Sequence, residues 1–456
     1  MPEDPGRGPV AVIESGAFGG TCINRGCIPS KILVYTADVA CQIRQASAFG
    51  IDAKLTGVDW QSIRDRTFSQ VEQISAAGRN ARAGSDLVTL FEGRARFAGP
   101  HELVIDGKTR IIADQIVVAS GARPTVPPVI AGSGVEFWTS DTIMRIDELP
   151  GSMVIVGGGY VAAEFAHIFS SLGVEIHIIN RAATLLKTFD TDISDRFTTL
   201  AQQRWNVRLS AKITGVRRHG HDGASNHPGR PGGRVTVALD DGTEVTGDLL
   251  LVAAGRQPDT DDLSLDLAGV RLRDDGRIHV DEYGRTTADG IWSLGDASSP
   301  FELKHVANAE ARMLAHNLAH PEDLRPFPHE WVPAAVFTEP QLASVGARLQ
   351  DLAGKRPYVQ ATQAYQDTAY GWALRDTSGI CRLYADPATG KLLGAHILGY
   401  QASLLIQPLV QAMSSGQTVA SMARGQYWIH PALSEVVENA LLKLPLSLQP
   451  EGDQRR

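Results

Sequence analysis

The sequence is poor in cysteine, in excess positive charge and in long apolar runs. Four cysteines among 456 residues are too few for a disulfide framework. The formal net charge is −8, so the basic surface that binds nucleic acid is not expected. No uninterrupted apolar run is long enough to span a bilayer. These shortages argue against a disulfide-rich secreted protein, a nucleic-acid-binding protein and a membrane protein.

The start of the chain does not resemble a secretory signal. Residues Met1 to Pro5 are acidic and proline-rich, with no basic start before an apolar stretch. The expected location is therefore cytoplasmic, where a disulfide is more often catalytic than structural. The length and the 43% hydrophobic content predict a globular protein of roughly two to four domains.

Two of the four cysteines, Cys22 and Cys27, lie five positions apart. Pro29 follows at a place suited to the first turn of a helix, which is predicted over residues 28–46. Cys27 is then at a helix N-terminus, where the helix dipole stabilises a thiolate, and Cys22 lies on the irregular segment before it. A disulfide that closes so short a loop adds little stability, which favours a reactive bond. Two unrelated buried cysteines are the plain alternative, and Cys41 and Cys381 are expected only to pack.

A glycine-rich turn stands between a predicted strand and a predicted helix. The strand covers residues 153–156, and the helix runs to about Leu172. Gly157 permits the tight turn, Gly159 lets the backbone approach a pyrophosphate, and Ala162 allows close packing of helix on strand. The N–H groups at the start of the helix can bind phosphates. This arrangement is typical of a dinucleotide-binding unit.

The next predicted strand, residues 174–179, ends without an acidic residue. Asn180 stands where an acid would bind a ribose 2′-hydroxyl, Arg181 follows, and Lys187 comes six residues later. Cations at this place suit a 2′-phosphate. The sequence therefore predicts NADPH over NADH, with ordinary solvated charges as the alternative.

A histidine–glutamate pair stands near the C-terminus. His430 precedes Pro431, and Glu435 follows five residues after the histidine. A carboxylate can orient an imidazole so that it holds and delivers a proton near neutral pH. A solvated surface histidine is the alternative for such a residue taken alone.

These stretches, with Ser120-Gly121-Ala122-Arg123-Pro124 and Gly295-Asp296 between them, resemble the class I pyridine nucleotide-disulfide oxidoreductases. That FAD-dependent family includes glutathione, mercuric and mycothione reductases and lipoamide dehydrogenase. The resemblance runs from Val10 to Leu444. It implies an α/β fold with two Rossmann-like dinucleotide-binding domains, the FAD-binding one discontinuous, and an α+β C-terminal dimerisation domain. The implied ranges are 1–149 for the first FAD-binding segment, 150–270 for the NAD(P)-binding domain, 271–328 for the second FAD-binding segment and 329–456 for the interface domain.

The resemblance also implies residue roles. NADPH would pass hydride to FAD, Cys27 would be the charge-transfer thiolate, and Cys22 would attack a low-molecular-weight disulfide. His430, oriented by Glu435, would protonate the departing thiolate in the site of the other subunit of a homodimer. No metal, nucleic acid or membrane partner is implied. The implied cofactor residues are Glu14, Lys31 paired with Glu164, Ala95, Ser120, Gly121, Ala122, Gly157, Gly158, Gly159, Tyr160, Val161, Ala162, Ala163, Asn180, Arg181, Lys187, Gly255, Asp296, Glu302, Leu303, Lys304 and His305.

The resemblance fails at the N-terminus. A G-x-G-x-x-G turn should lie about 20 residues before the ribose-binding acid, but only thirteen residues precede Glu14. The FAD-binding domain is therefore expected to be N-terminally truncated, without its first βα unit, and to bind FAD weakly. The strand predicted over residues 10–14 is expected to be buried but to lack its central neighbour. A flavin-deficient, non-catalytic remnant is the alternative to an enzyme.

Comparison with the other members of the family narrows the choice of disulfide substrate. The tail after Glu435 has no cysteine, unlike mercuric reductase, and the cations after Asn180 argue against lipoamide dehydrogenase. The segments 19–31, 370–373 and 422–431 are most similar to the mycothione reductase branch. Mycothione disulfide is therefore the predicted substrate. The alternatives are glutathione disulfide and the disulfide substrate of another NAD(P)H-dependent disulfide reductase, such as dihydrolipoamide dehydrogenase.

Other elements complete the prediction. A helix is expected over residues 60–82, and strands of a small sheet are expected over residues 87–97 and 102–112. The segment 219–233, which contains three histidines, is expected to be a hairpin tip and not a metal site. Several strands with two or three helices are expected after residue 329.

Overall fold

The structure is a computed structural model, and it describes residues 9–219 and 233–447. The strands are β1 (Val10–Glu14), β2 (Val88–Glu92), β3 (Ala95–Gly99), β4 (Glu102–Ile105), β5 (Thr109–Ile112), β6 (Ile116–Val118), β7 (Ala122–Pro124), β8 (Trp138–Thr139), β9 (Ser152–Val156), β10 (Glu175–Ile179), β11 (Asn206–Arg208), β12 (Ile213–Arg218), β13 (Val235–Leu239), β14 (Glu244–Gly247), β15 (Leu249–Val252), β16 (Arg256–Pro258), β17 (Ile291–Ser293), β18 (Ala334–Val336), β19 (Gln341–Gly346), β20 (Val359–Ala364), β21 (Ile380–Ala385) and β22 (Leu392–Gly399).

The α-helices are α1 (Gly20–Arg25), α2 (Cys27–Gln45), α3 (Trp60–Ala83), α4 (Pro128–Ala131), α5 (Tyr160–Ser171), α6 (Thr191–Arg204), α7 (Lys304–Ala319), α8 (Leu349–Leu352), α9 (Ala369–Leu374), α10 (Ala402–Leu405), α11 (Gln407–Ser414), α12 (Val419–Arg424) and α13 (Glu435–Leu442). Short 3₁₀ helices cover Ala46–Phe49, Ile143–Arg145, Leu265–Ala268, Gly295–Ala297 and Tyr365–Asp367.

The middle of the chain forms a parallel sheet in the order β11-β10-β9-β15-β8. All residues of β9 and β15 are buried, as expected for strands in a sheet covered on both faces. The connection through α5 leads to β10 on one side of β9, while β15 pairs on its other side. The strand order therefore changes direction at the end of β9, where open α/β sheets bind ligands. The predicted strands and helix around the glycine turn are confirmed as β9, β10 and α5.

The N-terminal strands do not form one sheet. β1 pairs in parallel with β2, and β6 pairs in parallel with β17, but within residues 9–219 and 233–447 no strand joins the two pairs. The expectation that β1 is buried was wrong: four of its residues are half-buried and Ala11 is exposed, because its unpaired edge lines an open cleft. Beside this cleft, α2 packs against α3 and α5, so the cysteine-bearing helix contacts the glycine-turn helix.

The small sheet predicted from residues 87–97 and 102–112 is present as β3, β4 and β5, but each of the two predicted stretches is divided into two strands. β2 joins β1, whereas β3, β4 and β5 form an antiparallel meander. The break between β4 and β5 falls at Asp106 and Gly107, whose φ angles are 49° and 70°. Both are left-handed, as a type I′ hairpin turn requires, and an Asp-Gly dipeptide is a strong sequence signal for that turn.

The C-terminal region has an antiparallel sheet in the order β18-β19-β22-β21-β20. Its central strand β22 is buried along its whole length, and α13 packs against β20 and β21. The prediction of two or three helices here was wrong, since the described residues after 329 contain six α-helices, α8 to α13. All six have eight residues or fewer, which makes them hard to recognise by periodicity.

The predicted hairpin around the histidine-rich insert is supported by its two flanking strands. β12 and β13 pair antiparallel, and the ring Nε2 of His219 lies 3.0 Å from the hydroxyl of Thr236. The predicted tip itself, residues 220–232, lies outside the described residues. Among the described helices, none combines the length and the apolar character needed to cross a membrane.

Candidate active site

Cys22 and Cys27 lie on two successive helices that meet at Gly26. Cys27 is the first residue of α2, as predicted, but the placement of Cys22 on an irregular segment was wrong, because it lies within α1. A side chain at position 26 would place a Cβ 2.9 Å from the Thr21 carbonyl oxygen. The elbow between the helices therefore requires glycine. It turns the chain so that the two thiols interact across it.

The side chain of Asn24 fixes the segment that leads into this elbow. Its Nδ2 group donates to the carbonyl oxygens of Phe18 at 2.9 Å and Gly20 at 3.0 Å. The hydroxyl of Ser75 on α3 donates to the same Phe18 oxygen at 2.8 Å. These bonds hold the backbone just before Cys22, which keeps the thiol pair in one arrangement.

The structure holds Cys22 and Cys27 as two free thiols, the reduced state of the predicted pair. The hydrogen bond from the Cys22 thiol and the nearby Lys31 ammonium lower the pKa of Cys27 to about 7, against the opposing effect of burial. The same contact with Cys27, together with burial, raises the pKa of Cys22. At neutral pH the pair therefore shares one proton, which stays on Cys22, and Cys27 carries thiolate character.

Lys31 is held beneath Cys27 by a partly buried ion pair. Its Nζ lies 2.5 Å from Glu164 Oε2 on α5, as the sequence predicted for this pair, and 4.6 Å from the centre of the Phe337 ring. The other carboxylate oxygen of Glu164 accepts the Phe337 N–H at 3.0 Å. α2, α5 and the start of the C-terminal region are thereby joined directly below the thiol pair.

Lys31→Met is expected to raise the pKa of Cys27 by about one unit, because a cation within contact range favours the thiolate. Glu164→Gln should shift it in the opposite direction, since this carboxylate disfavours the thiolate. The measurement is the rate of iodoacetamide alkylation of the reduced protein against pH. Lys108→Met, at an exposed turn, is the control and should leave the inflection unchanged. Shifts of the same sign in both variants would contradict this electrostatic account.

A cleft of about 2300 Å³ lies beside the thiol pair. Its walls are formed by β1, β2 and β6 and by the starts of α2, α5 and α7. It brings together the two predicted catalytic cysteines, Cys22 and Cys27, and many of the predicted cofactor residues. These cofactor residues are Glu14, Lys31, Ala95, Ser120, Gly121, Ala122, Tyr160, Val161, Glu164, Asp296, Glu302, Leu303, Lys304 and His305. The ring Nε2 of His305, one of these predicted cofactor residues, lies 2.9 Å from the Pro333 carbonyl oxygen.

The electrostatics of the cleft depend on Arg256, which the sequence did not single out. Its side chain is 9% exposed, and its guanidinium donates to the Ala122 carbonyl oxygen at 2.5 Å and lies 4.0 Å from Asp141. Burial raises the pKa of both Asp296 and Glu302, and Arg256 opposes that rise at each. Arg256 directly follows Gly255, which was assigned to the cofactor, so it stands in a stretch that the sequence had already indicated.

Asp141 and Arg25 were also missed. The Nε of Arg25, on α1 between the two cysteines, lies 3.5 Å from Asp141, so this carboxylate sits between Arg25 and Arg256. All three residues line the cleft. Asp141 lies in no recognisable motif, and only the tertiary structure brings it close to Arg25 on α1.

The glycine turn at the end of β9 forms a second group of predicted residues. An added Cβ at Gly157 would lie 2.1 Å from the Ala253 carbonyl oxygen, and one at Gly158 would lie 2.4 Å from the Asn180 side chain. A Cβ at Gly159 would have no neighbour within 4 Å, which leaves its backbone open to a ligand. Ala162 is buried, as the predicted close packing requires. The turn thus has the features of a phosphate-binding backbone.

Asn180 has a structural task that the sequence did not reveal. Its Nδ2 group donates to the carbonyl oxygens of Ala182 at 3.1 Å and Thr184 at 2.8 Å, which an aspartate could not do. The side chains of Arg181 and Lys187, on the loop that these bonds shape, are both exposed. Two cations are therefore available beside the glycine turn.

The His430–Glu435 pair stands apart from the cleft. His430 Nδ1 lies 3.7 Å from Glu435 Oε2, and the histidine side chain is 70% exposed. This Oε2 is buried and has no hydrogen-bond partner within the described residues. Neither residue lines the cleft, and among residues 9–219 and 233–447 His430 has no hydrogen bond or ion pair with Cys22 or Cys27. The carboxylate is thus placed to accept from the imidazole once the pair closes by less than 1 Å, roughly the change from 3.7 Å to a hydrogen bond.

Comparison with known proteins decides what this arrangement is. Residues 4–311 match the family described as "Pyridine nucleotide-disulphide oxidoreductase", and residues 332–441 match its dimerisation domain. The chain belongs to this family. It is a flavoprotein disulfide oxidoreductase with an N-terminal redox domain and a C-terminal dimerisation domain, which confirms the predicted family, fold class and enzyme type.

The relatives of this oxidoreductase include several disulfide reductases. "Mycothione reductase" of Mycobacterium tuberculosis (strain ATCC 25618 / H37Rv) is 48% identical over 444 residues, covering 95% of this chain and 94% of that protein. "Glutathione reductase" of Burkholderia cepacia is 31% identical over 428 residues, covering 93% and 91%. The solved flavoprotein disulfide reductase RclA of Escherichia coli superposes with a TM-score of 0.82 at 27% identity, covering 95% and 94%. LpdA of Mycobacterium tuberculosis gives 0.83 at 26%, covering 96% and 94%.

Membership of the oxidoreductase family implies FAD and a nicotinamide nucleotide as cofactors, and the cleft fits the flavin. Ser120 Oγ is buried without a hydrogen-bond partner among the described residues, so the cleft offers an unused polar group. Glu14 and Asp296 supply carboxylates of the kind that accept from ribose and ribitol hydroxyls. Gly121, with a φ of 74°, has no neighbour within 4 Å of an added Cβ and so leaves room for a ligand against the backbone.

Proposed function

We propose that this oxidoreductase uses NADPH to reduce a low-molecular-weight disulfide, with mycothione disulfide as the substrate. The observation that carries the proposal is the 48% identity to mycothione reductase across nearly both chains, against 31% to glutathione reductase. The proposal includes the domain boundaries suggested by the sequence, in which the interface domain begins at residue 329. It also includes a cytoplasmic location.

The thiol pair supplies the chemistry toward the substrate. The Cys22 sulfur, after losing its proton, attacks one sulfur of the substrate disulfide; that S–S bond breaks and a mixed disulfide with Cys22 forms. The Cys27 thiolate then attacks the Cys22 sulfur, which closes the Cys22–Cys27 disulfide and releases the second thiolate of the substrate. The lowered pKa of Cys27 supports this second step, because a substantial fraction of this thiol is ionised at neutral pH.

In this proposal the His430–Glu435 pair carries out the proton transfers. His430 of the partner subunit accepts the proton of Cys22 and then gives it to the first departing thiolate, with Glu435 orienting the imidazole. Side chains of Tyr427 and Ile429 next to His430 are strongly exposed, as expected if a homodimer interface covers them. FAD, when bound, supplies the two-electron transfer between the nicotinamide and the disulfide.

Each cofactor is assigned to one of the two groups of predicted residues, the cleft or the glycine turn. We propose that FAD lies in the cleft, held by Glu14, Ser120 and Asp296 with Lys31 near the thiol pair. The nicotinamide coenzyme lies at the Gly157–Gly159 turn, with its adenosine half toward Arg181 and Lys187. Tyr160, the first residue of α5, is shared between the two because it follows the turn and lines the cleft.

Arg181→Gln is expected to raise the KM for NADPH about tenfold while the KM for NADH changes little, because only NADPH has a 2′-phosphate for the guanidinium. The measurement is steady-state kinetics with each coenzyme at saturating disulfide. Arg271→Gln, at an exposed position outside both the cleft and the coenzyme loop, is the matched control. Equal increases for both coenzymes would contradict the phosphate-binding role.

The substrate is tested by coenzyme oxidation with mycothione disulfide, glutathione disulfide and lipoamide assayed side by side. We expect kcat/KM to be highest for mycothione disulfide by at least about a hundredfold, since polar recognition of a substrate discriminates strongly. A preference for either of the other two would overturn the proposed substrate. A purified protein without the flavin absorption band and without turnover would instead support the non-catalytic alternative.

A further inference from the structure

The loop between β10 and α6, residues 180–190, is tied to the glycine turn. The N–H of Leu186 donates to the Gly158 carbonyl oxygen at 2.7 Å, so the loop and the turn share a direct backbone bond. Arg181 and Lys187 both lie on this loop. Its shape therefore decides where the two cations stand relative to a coenzyme on the turn.

The same loop is tied to the first turns of α6. The Leu185 N–H donates to Thr198 Oγ1 at 2.9 Å, and Ser194 Oγ donates to the Leu186 carbonyl oxygen at 2.8 Å. Both hydroxyl-bearing residues are buried, so water does not compete for these bonds. The loop and the start of α6 consequently behave as one unit.

The start of α6 is in turn held by the C-terminal sheet region. Asp190, which directly precedes α6, is fully buried, and its Oδ2 accepts the Leu349 N–H at 2.7 Å and the Tyr384 hydroxyl at 2.9 Å. Its Oδ1 has no hydrogen-bond partner within the described residues. A buried carboxylate depends strongly on each bond it has, because desolvation otherwise disfavours it.

Further bonds connect the same two regions. The donors are side chains of the loop with α6 and of the C-terminal region, and the acceptors are backbone and side-chain oxygens. The bonds are Arg348 Nη1 to the Thr188 carbonyl oxygen at 2.8 Å, Gln350 Nε2 to the Phe189 carbonyl oxygen at 2.8 Å, Thr191 Oγ1 to Gln350 Oε1 at 3.0 Å, Arg382 to Asp192 at 2.5 Å, and Arg196 Nε to the Ser378 carbonyl oxygen at 2.8 Å.

We propose that Asp190 and Tyr384 are positioning residues for the nicotinamide coenzyme, through which the C-terminal dimerisation domain fixes the loop that bears Arg181 and Lys187. Neither residue lies on the glycine turn or among the residues assigned to the coenzyme. Tyr384 belongs to β21, far along the chain from that site, and acts on the loop through Asp190 and α6. This inference rests on the proposed coenzyme site at the Gly157–Gly159 turn. Because binding linkage is reciprocal, bound coenzyme should also stabilise the contact between α6 and β21.

The test is Tyr384→Phe, which removes one hydroxyl from a buried carboxylate and leaves the ring in place. We expect the dissociation constant for NADP⁺, or for NAD⁺ if wild type prefers it, to rise about fivefold to tenfold in calorimetric titration of the purified holoenzyme. The KM for the disulfide and the flavin content should stay unchanged. A purely structural role would lower the melting temperature without this selective effect.

The control is Tyr358→Phe, because the Tyr358 ring packs against Tyr384 at 5.8 Å and its hydroxyl has no hydrogen bond in the described stretches of the chain. Gln350→Ala is the second variant if Tyr384→Phe does not fold; it removes bonds to Phe189 and Thr191 from a partly exposed position and should weaken coenzyme binding alone. Unchanged coenzyme affinity in the folded variants, or an equal loss in Tyr358→Phe, would overturn the inference. If wild type binds neither NADP⁺ nor NAD⁺, the proposed coenzyme site itself fails.

Discussion

Cys22→Ser is expected to lower kcat for disulfide reduction by at least about a thousandfold, because a serine hydroxyl at neutral pH neither attacks a disulfide nor forms one with Cys27. This is one of the two largest effects we expect. Serine preserves the size of the side chain and can still donate to the Cys27 sulfur. The loss should therefore come from chemistry and not from the fold. The measurement is turnover of mycothione disulfide with saturating coenzyme.

Two controls separate the thiol step from the rest of the reaction. Cys41→Ser, on the same helix α2 but buried against Ser171, should keep wild-type turnover. Reduction of a quinone by the coenzyme should persist in Cys22→Ser, because it needs the flavin and no thiol. Disulfide turnover in Cys22→Ser within about tenfold of wild type would show that Cys22 is not the attacking residue.

The sequence predicted those regions of the site that lie on single local motifs. The residues around Gly157 require glycine for reasons that act within a few positions, so β9, the turn and α5 are recognisable from spacing alone. The same holds for Cys27 and Pro29, whose places at the start of α2 depend on helix-end preferences. Such local rules also indicated the family, because its motifs are strings of adjacent residues.

The features that sequence did not predict depend on residues distant along the chain. Asp141 meets Arg25 and Arg256 only because three separate segments converge on the cleft. Asp190 gave no sign of its role, since its partner Tyr384 is 194 positions away. The hairpin at Asp106 and Gly107 is a different case, because its signal was local and was overlooked between two apolar runs. The features that the sequence did not predict therefore depend more on tertiary contacts than on weak local propensities.

The second large effect concerns which subunit supplies His430. His430→Ala and Cys22→Ser should each be nearly inactive as homodimers, because the first lacks the proton donor and the second lacks the nucleophile. If His430 acts on the thiol pair of the other subunit, a mixed dimer of the two variants contains one site with both groups intact. We therefore expect purified heterodimers to recover about half of the wild-type kcat per dimer, as one of two isologous sites is restored.

The heterodimer is isolated by co-expression with two different affinity tags and sequential purification on both. Heterodimers of Cys22→Ser with Glu435→Ala provide a matched test, because Glu435 should be required in the same subunit as His430. Activity should return there as well, whereas a chain carrying both Cys22→Ser and His430→Ala, paired with wild type, should leave no complete site. Inactive heterodimers of the single variants would mean that the histidine serves its own subunit, which the position of His430 outside the lining of the cleft argues against.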